Sequence, residues 1–330
     1  MDAFVIVIIA IALLFDFLNG MNDAANSIAT VVSTKVLSPR IAVLWAAFFN
    51  FAAAFGFGVA VAKTIGKGIV DPSIVTPEFI LAALIGAIVW THLCTYYGYP
   101  ISVSHALIGG LAGAGLFKAG IGALNFDGIT KVLIFIFLSP TIGLIVAFLL
   151  MIIVTWLFKD WNVRRVDKFF RVGQLVSSAA YSLGHGTNDA QKTMGIITIL
   201  LYSTGYFQGG EMYVPWWVII TAHSAIGLGT LMGGWKVIGT LGVKLTHLKP
   251  VGGFCAEGAG SLVLLGTAIA GIPVSTTHTI AGSIMGVGAT KRLSAVRWGI
   301  AGKIIIAWIL TIPTSAAIGA LAYWLTEIFL

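Results

Sequence analysis

Four acidic side chains lie inside apolar sequence in this 330-residue chain: Asp16, Asp23, Asp189 and Glu257. An ionisable group inside a membrane-spanning segment is costly, so each is by default a candidate for function. Asp23 and Asp189 are the informative pair. Each sits in a patch rich in Gly and Asx, Asn19-Gly20-Met21-Asn22-Asp23-Ala24-Ala25-Asn26 and Gly184-His185-Gly186-Thr187-Asn188-Asp189-Ala190-Gln191. Such patches are expected to break a helix, and irregular backbone in a membrane is tolerated only where protein buries it or it lines a wet cavity. Freed carbonyls and carboxylates are hard oxygen donors suited to Na+, while exposed helix N-termini favour anions. One site can therefore hold both charges. A plain capping role for the two aspartates is the alternative, and it leaves a pair of caps in mid-membrane without a reason.

Two proline-led runs supply hydroxyls: Pro100-Ile101-Ser102-Val103-Ser104-His105 and Pro273-Val274-Ser275-Thr276-Thr277-His278. A Pro followed by small hydroxyl residues stops one helical arm and starts the next with free backbone N–H groups, an anion-binding arrangement. Tetrahedral oxyanions need many donors. Either run alone would be read as hydroxyls bonded back to the preceding turn; the duplication argues for a ligand role. His105 and His278 are balanced between satisfied structural donors and ligands or proton carriers, whereas His185 precedes Asn188 and Asp189 inside its patch. Lys192, close by, can neutralise Asp189, approach the anion, or reach toward the interface. No Arg lies within an apolar span near these motifs. An anion beside Asp23 and Asp189 would therefore be repelled strongly at an effective dielectric constant of about 20, and co-bound cations must remove that repulsion. The charge count couples the two: the anion binds well only after cations, and cations bind better once the anion is present. Na+ suits the oxygen ligands; protons on the carboxylates or histidines could serve the same purpose.

The elements that carry these residues are transmembrane. Hydrophobic residues make up 58% and charged residues 9%, against about 25% charged in soluble domains. Apolar runs such as 132–158 and 300–323 recur along the chain, long enough to cross about 30 Å of hydrocarbon. No soluble domain fits between them, and residues 3–15 read as the start of a transmembrane helix rather than a signal peptide. The formal charge of +7 is spread through short loops, which argues against a nucleic-acid surface. Cys94 and Cys255 occupy non-equivalent apolar positions, so neither a disulfide nor a metal pair is expected.

The chain repeats itself. Asn22-Asp23-Ala24 returns as Asn188-Asp189-Ala190, an offset of 166 (189 − 23), and the proline-led runs return at 173 (278 − 105). Ile65-Gly66 and Ile238-Gly239 share the second offset, and a small insertion accounts for the difference. Asp16 falls opposite Ser182, so it is either a local structural partner or an outer ligand. The most polar stretch carries Lys159, Arg164, Arg165, Lys168 and Arg171 and is placed in the cytoplasm. Loops with Lys35 and Arg40, with Lys236, Lys244 and Lys249, and with Lys291, Arg292 and Arg297 share that side. The loop 203–214, with Glu211 and no basic residue, falls outside, while Lys63, Lys67, Lys118 and Lys131 run against the bias. Both termini then lie on the extracellular or periplasmic side of the cell (inner) membrane. Each half has an odd number of crossings, so the second is inverted. The expected fold is an all-α integral membrane protein of two inverted-topology repeats, each with a broken helix, a helix, a re-entrant helical hairpin and a long helix. The repeats are residues 1–158 and 173–330, joined by a cytoplasmic linker at 159–172. The first hairpin, 79–117, turns around Gly98 to His105, and two full crossings stay open because its first arm is long enough to span.

At these residues the chain resembles the inorganic phosphate transporter (PiT) family, whose duplicated signature is similar to Gly-x-Asn-Asp-x-x-Asn and whose hairpins carry Pro-x-Ser-x-Thr-His. The matches are Gly20 to Asn26, Gly186-Thr187-Asn188-Asp189, Pro100 to His105 and Pro273 to His278, within a resemblance running from about residue 10 to 325. It implies inorganic phosphate as substrate, symport with Na+ or H+, a mid-membrane site between hairpins and broken helices, a homodimer, and no cofactor beyond the coupling ion. On that reading phosphate is held by Ser102, Ser104, His105, Ser275, Thr276, Thr277, His278 and Thr193. Cations are held by Asn22, Asp23, Asn26, His185, Asn188, Asp189, Gln191 and Glu257, with Na+ at Asp23 and Asp189. His185 and Glu257 match positions the family uses. Ser104 stands where Thr is usual, and Phe51-Ala52-Ala53-Ala54-Phe55-Gly56 lacks a Glu that some relatives carry, which leaves cation number and identity open. The long intracellular insert of animal relatives is missing, as in a prokaryotic member.

Other readings predict different behaviour. A proton-coupled or metal-phosphate symporter, or a sulfate transporter, would share the fold; competition between phosphate and sulfate separates the substrates. An intramembrane hydrolase built from Ser, His and Asp does not predict a repeated constellation, and a passive channel could not accumulate its solute against a gradient.

Overall fold

The structure, a computed structural model, describes residues 2–56, 58–207 and 211–329. Residues 208–210, in the loop expected outside, and Leu330, the end of the second repeat, lie outside the described residues. The first six helices are α1 (Ala3–Ser33), α2 (Pro39–Ala52), α3 (Ala60–Gly68), α4 (Pro77–Tyr97), α5 (Val103–Ala119) and α6 (Phe126–Leu157). The next six are α7 (Val163–Ser203), α8 (Trp216–Met232), α9 (Trp235–Gly239), α10 (Pro250–Ile269), α11 (Thr276–Lys291) and α12 (Trp298–Phe329). Among the described residues five helices are long and apolar enough to cross a membrane, and α8 with α9 and its π-helical extension reaches that length and hydropathy only when the two are taken together across a bend of 66°. The chain is an all-helical membrane protein.

Local chemistry sets the helix ends. Proline occupies the first turn of α2, α4 and α10, where its missing N–H costs nothing. Ser102 and Ser275 cap α5 and α11 by accepting from the backbone N–H of His105 and His278. Gly98 closes α4 with φ 78°, a left-handed conformation that favours glycine.

The sequence of element lengths repeats after α6, and the packing exchanges between the halves. The second arm of the first hairpin, α5, packs on α12, and α11 packs on α6. Small residues permit this approach: a Cβ on Gly113 would run into the backbone of Ala316, and one on Gly286 into that of Leu144. These glycines are themselves repeat-related (286 − 113 = 173), as are the helix-interior prolines Pro140 and Pro313 (313 − 140 = 173). Both inner arms are buried over 103–115 and 276–288, so the hairpin tips meet inside the protein.

One expectation needs correction. The Gly-Asx patches do not break their helices; α1 and α7 run through them without interruption. Asn188 turns its amide back to the carbonyl of Gly184 at 3.0 Å and on to that of Leu264 at 2.8 Å. Gly20 and Gly186 serve close contact instead, lying against the backbones of Ile226 and Asn50. The segment 159–172 is helical from Val163, as the first turns of α7, capped by Asn162. The short helices α3 and α9 were not anticipated. They brace the hairpin turns, α3 through Thr64 Oγ1 donating to Gly271 O at 2.9 Å and the π-helical extension of α9 through Thr240 Oγ1 donating to Gly98 O at 3.0 Å.

Candidate functional site

Along α1, Asp16, Asn19, Asp23, Asn26 and Thr30 follow one another at steps of three and four residues, which places them on one helix face. Along α7 the same holds for Gln174, Ser177, Tyr181, His185, Asp189 and Thr193. All are buried. The rows face each other antiparallel. At one end Thr34, one turn beyond Thr30, donates to Gln174 Oε1 at 2.8 Å. Midway Asp23 and Asp189 share His185 and Thr276, and at the other end Thr193 lies against Asp16. The rows form a polar column through an apolar helix bundle.

At its centre His185 Nε2 is 3.1 Å from Asp189 Oδ2 and 3.8 Å from Asp23 Oδ2. Its Nδ1 lies 3.0 Å from Asn50 Oδ1, which fixes the ring and assigns Nδ1 as the donor. Ligand atoms of Asp23, His185 and Asp189 lie within 4.8 Å of one another, close enough to share one ion. The Oδ1 atoms of Asn22, Asn26 and Asn188 are buried with no hydrogen-bond partner among the described residues. Orphaned carbonyl oxygens beside paired carboxylates fit a hard cation.

The hairpin tips close on this centre. Thr276 Oγ1 donates to Asp189 Oδ2 at 3.0 Å and lies 3.2 Å from Asp23 Oδ2, and Thr277 Oγ1 reaches Asp23 Oδ1 at 3.3 Å. Asn26 Nδ2 donates to Thr277 Oγ1 at 2.9 Å. The Lys192 ammonium binds Ser104 Oγ on the other hairpin, Asp189 Oδ1 at 2.5 Å on its own helix, and Val274 O at 2.9 Å beside the tip that carries Thr276. Asn26 and Lys192 are repeat-related (192 − 26 = 166), as are Thr277 and Ser104 (277 − 104 = 173). Each half thus reaches from its Asn-Asp helix into the hairpin of the other. Of the three roles open to Lys192, neutralising Asp189 is the one observed, and the net charge at the centre is smaller than the two carboxylates alone would give.

Several expected ligands take other places. Gln191 Oε1 accepts from Val61 N at 2.8 Å and Ala62 N at 3.2 Å, capping α3 from outside instead of facing an ion. Thr193 stands by Asp16 and not among the tip hydroxyls. Ser102 and Ser275 spend their oxygens on capping, so their helices offer an anion backbone N–H groups. His105 and His278 meet edge to face at 4.9 Å, and His278 stacks on Trp308 at 3.8 Å and lies 3.3 Å from Ile136 O. Glu257 forms its own station, receiving hydrogen bonds from Thr30 at 2.5 Å, Ser177 at 2.5 Å and Gln174 at 3.0 Å. Asn50 was missed entirely. It links His185 to Thr230 at 2.9 Å, and its carbonyl lies 3.1 Å from His223 Nδ1.

The duplicated core has the sequence signature of known proteins. A profile described as the phosphate transporter family matches residues 19–164 and again 158–319. The chain belongs to the phosphate transporter family. Within that family it is 57% identical to the "Probable low-affinity inorganic phosphate transporter" of Rhizobium meliloti (strain 1021), over 97% of this chain and 96% of the relative. It is 47% identical to the protein of the same description from Bacillus subtilis (strain 168), again over 97% and 96%. A solved structure described as "The sodium-dependent phosphate transporter" matches over 100% of both chains with a TM-score of 0.92 and 27% identity. The family consists of transporters and not enzymes.

Proposed function

We propose that this chain is a secondary active symporter that imports inorganic phosphate together with cations, with Na+ preferred. The observation that carries it is the convergence of Asp23, Asp189 and His185 within 4.8 Å, under the N-terminal turns of two hairpin helices. Oxygen ligands take the cation, while the first-turn N–H groups of α5 and α11 and the Lys192 ammonium are donors for an oxyanion. The sodium-dependent neighbour supports Na+ as the coupling ion. His185 keeps proton coupling as the second reading, because an imidazole wedged between two carboxylates can carry a proton.

Phosphate uptake into liposomes, with Na+ and pH gradients imposed separately, tests this. Inward Na+ should drive accumulation above equilibrium, and a pH gradient alone should not. Saturable flux indifferent to both gradients would end the symport reading.

The proposal includes the inverted arrangement of residues 1–158 and 173–330, with both termini on the outer face of the inner membrane, and the homodimer that the family resemblance implies. Impermeant labelling of an engineered cysteine at either terminus reads sidedness, and particle mass in detergent reads the assembly.

A further inference from the structure

The Asp16 end of the column has no part in the reading above. Asp16 is 0% exposed, and among the described residues neither of its carboxylate oxygens has a hydrogen-bond partner. The polar side chains against it are Thr193 and Asn19, with Asp189 and His185 the nearest ionisable groups. Asn19 Oδ1 and Thr193 Oγ1 are likewise buried without a partner, at residues 2% and 0% exposed. Buried polar atoms in native proteins are nearly always satisfied, and an unpaired buried carboxylate is the costliest exception. Two of these orphaned oxygens belong to Asp16, and the other two to Asn19 and Thr193, the polar side chains that lie against it. Lys192 cannot complete the set, since its ammonium is committed to Asp189, Ser104 and Val274.

We propose that Asp16, Asn19 and Thr193 bind a monovalent alkali cation at a site separate from the one at Asp23 and Asp189. One formal charge and hard oxygens, with no thiolate in the set, suit such an ion better than a transition metal. Asp16 precedes Asp23 by seven residues, or about 10 Å along the helix, whereas hard cations hold their ligands at about 2–3 Å. One ion cannot serve both. Thr30, which donates to Glu257, follows Asp23 by another seven residues, so the new site lies at the end of the column opposite Glu257.

The choice of Na+ as probe rests on the symport reading, and the test separates the two. Equilibrium binding of radioactive Na+ to the purified full chain in detergent counts the ions held. Asp16→Asn should lower the number bound per chain by one, and Thr193→Val, which keeps every carboxylate, should weaken one component about 10-fold. Asp23→Asn should remove a different component. If Asp23→Asn lowers the count and Asp16→Asn does not, the Asp16 site is wrong and the symport reading survives. No saturable Na+ binding by the unaltered chain overturns both. Should Asp16→Asn fail to yield a monodisperse protein, Thr193→Val decides, and unchanged Na+ affinity in that variant overturns the site.

Discussion

Replacing Asp23 with Asn should reduce Na+-driven phosphate uptake by about 100-fold or more while the protein still folds, the loss corresponding to about 3 kcal/mol of charge-assisted ligation. Asn keeps the size of Asp and one oxygen able to accept from Thr276 or Thr277. It also removes a buried charge whose nearest basic atom is His185 Nε2 at 3.8 Å. Nothing in the packing demands that charge, so its loss should be felt by the cation. Uptake in Na+-loaded gradients, with size-exclusion behaviour as the folding control, measures both. Near-normal coupled uptake would take Asp23 out of the mechanism. Asp189→Asn is a less clean probe than Asp23→Asn, because it strips Lys192 of its carboxylate.

The same pairing sets the second large effect. Lys192→Met should destabilise the protein by about 3–5 kcal/mol, because removing one member of a buried pair leaves the other charge uncompensated. Asp189 would keep only His185 at 3.1 Å and the Thr276 hydroxyl. Combining Lys192→Met with Asp189→Asn should recover most of the stability and none of the transport. Thermal melting of the detergent-purified variants reads the first outcome and liposome uptake the second. A single variant that melts with the wild type would show that the ammonium does not offset the Asp189 charge.

Many of the residues that occur twice in the sequence come together in the structure: Asp23 with Asp189, and Thr277 with Asn26. Residues that occur once or change type leave no trace in the repeat; Glu257 was legible only from its charge in apolar sequence and from the family resemblance, and its donors were not legible at all. Glu257 has Leu84 as its counterpart (257 − 173), and its donors Thr30, Gln174 and Ser177 correspond to Ile196, Ile8 and Ile11. Residues of both halves form this polar cage, and the repeat-related positions in both halves are apolar, so self-similarity could not point to it. The face spacing of Asp16, Asn19, Asp23, Asn26 and Thr30 along α1 was there to be counted. Asn50 lay hidden among Phe and Ala, yet its counterpart is His223 (223 − 50 = 173), a second polar residue in apolar sequence. The expectation of broken helices treated Gly and Asn as breakers by type. Side-chain bonds to carbonyls and glycine contacts between helices use the same residues without unwinding either helix.

An ammonium already saturated by protein oxygens is a weak magnet. Lys192 has three partners before any oxyanion arrives, and Thr276 and Thr277 are likewise engaged. Capture must therefore trade one satisfied set of bonds for another, leaving only the difference as net affinity. Such an exchange favours short residence, which suits a carrier that has to let its cargo go.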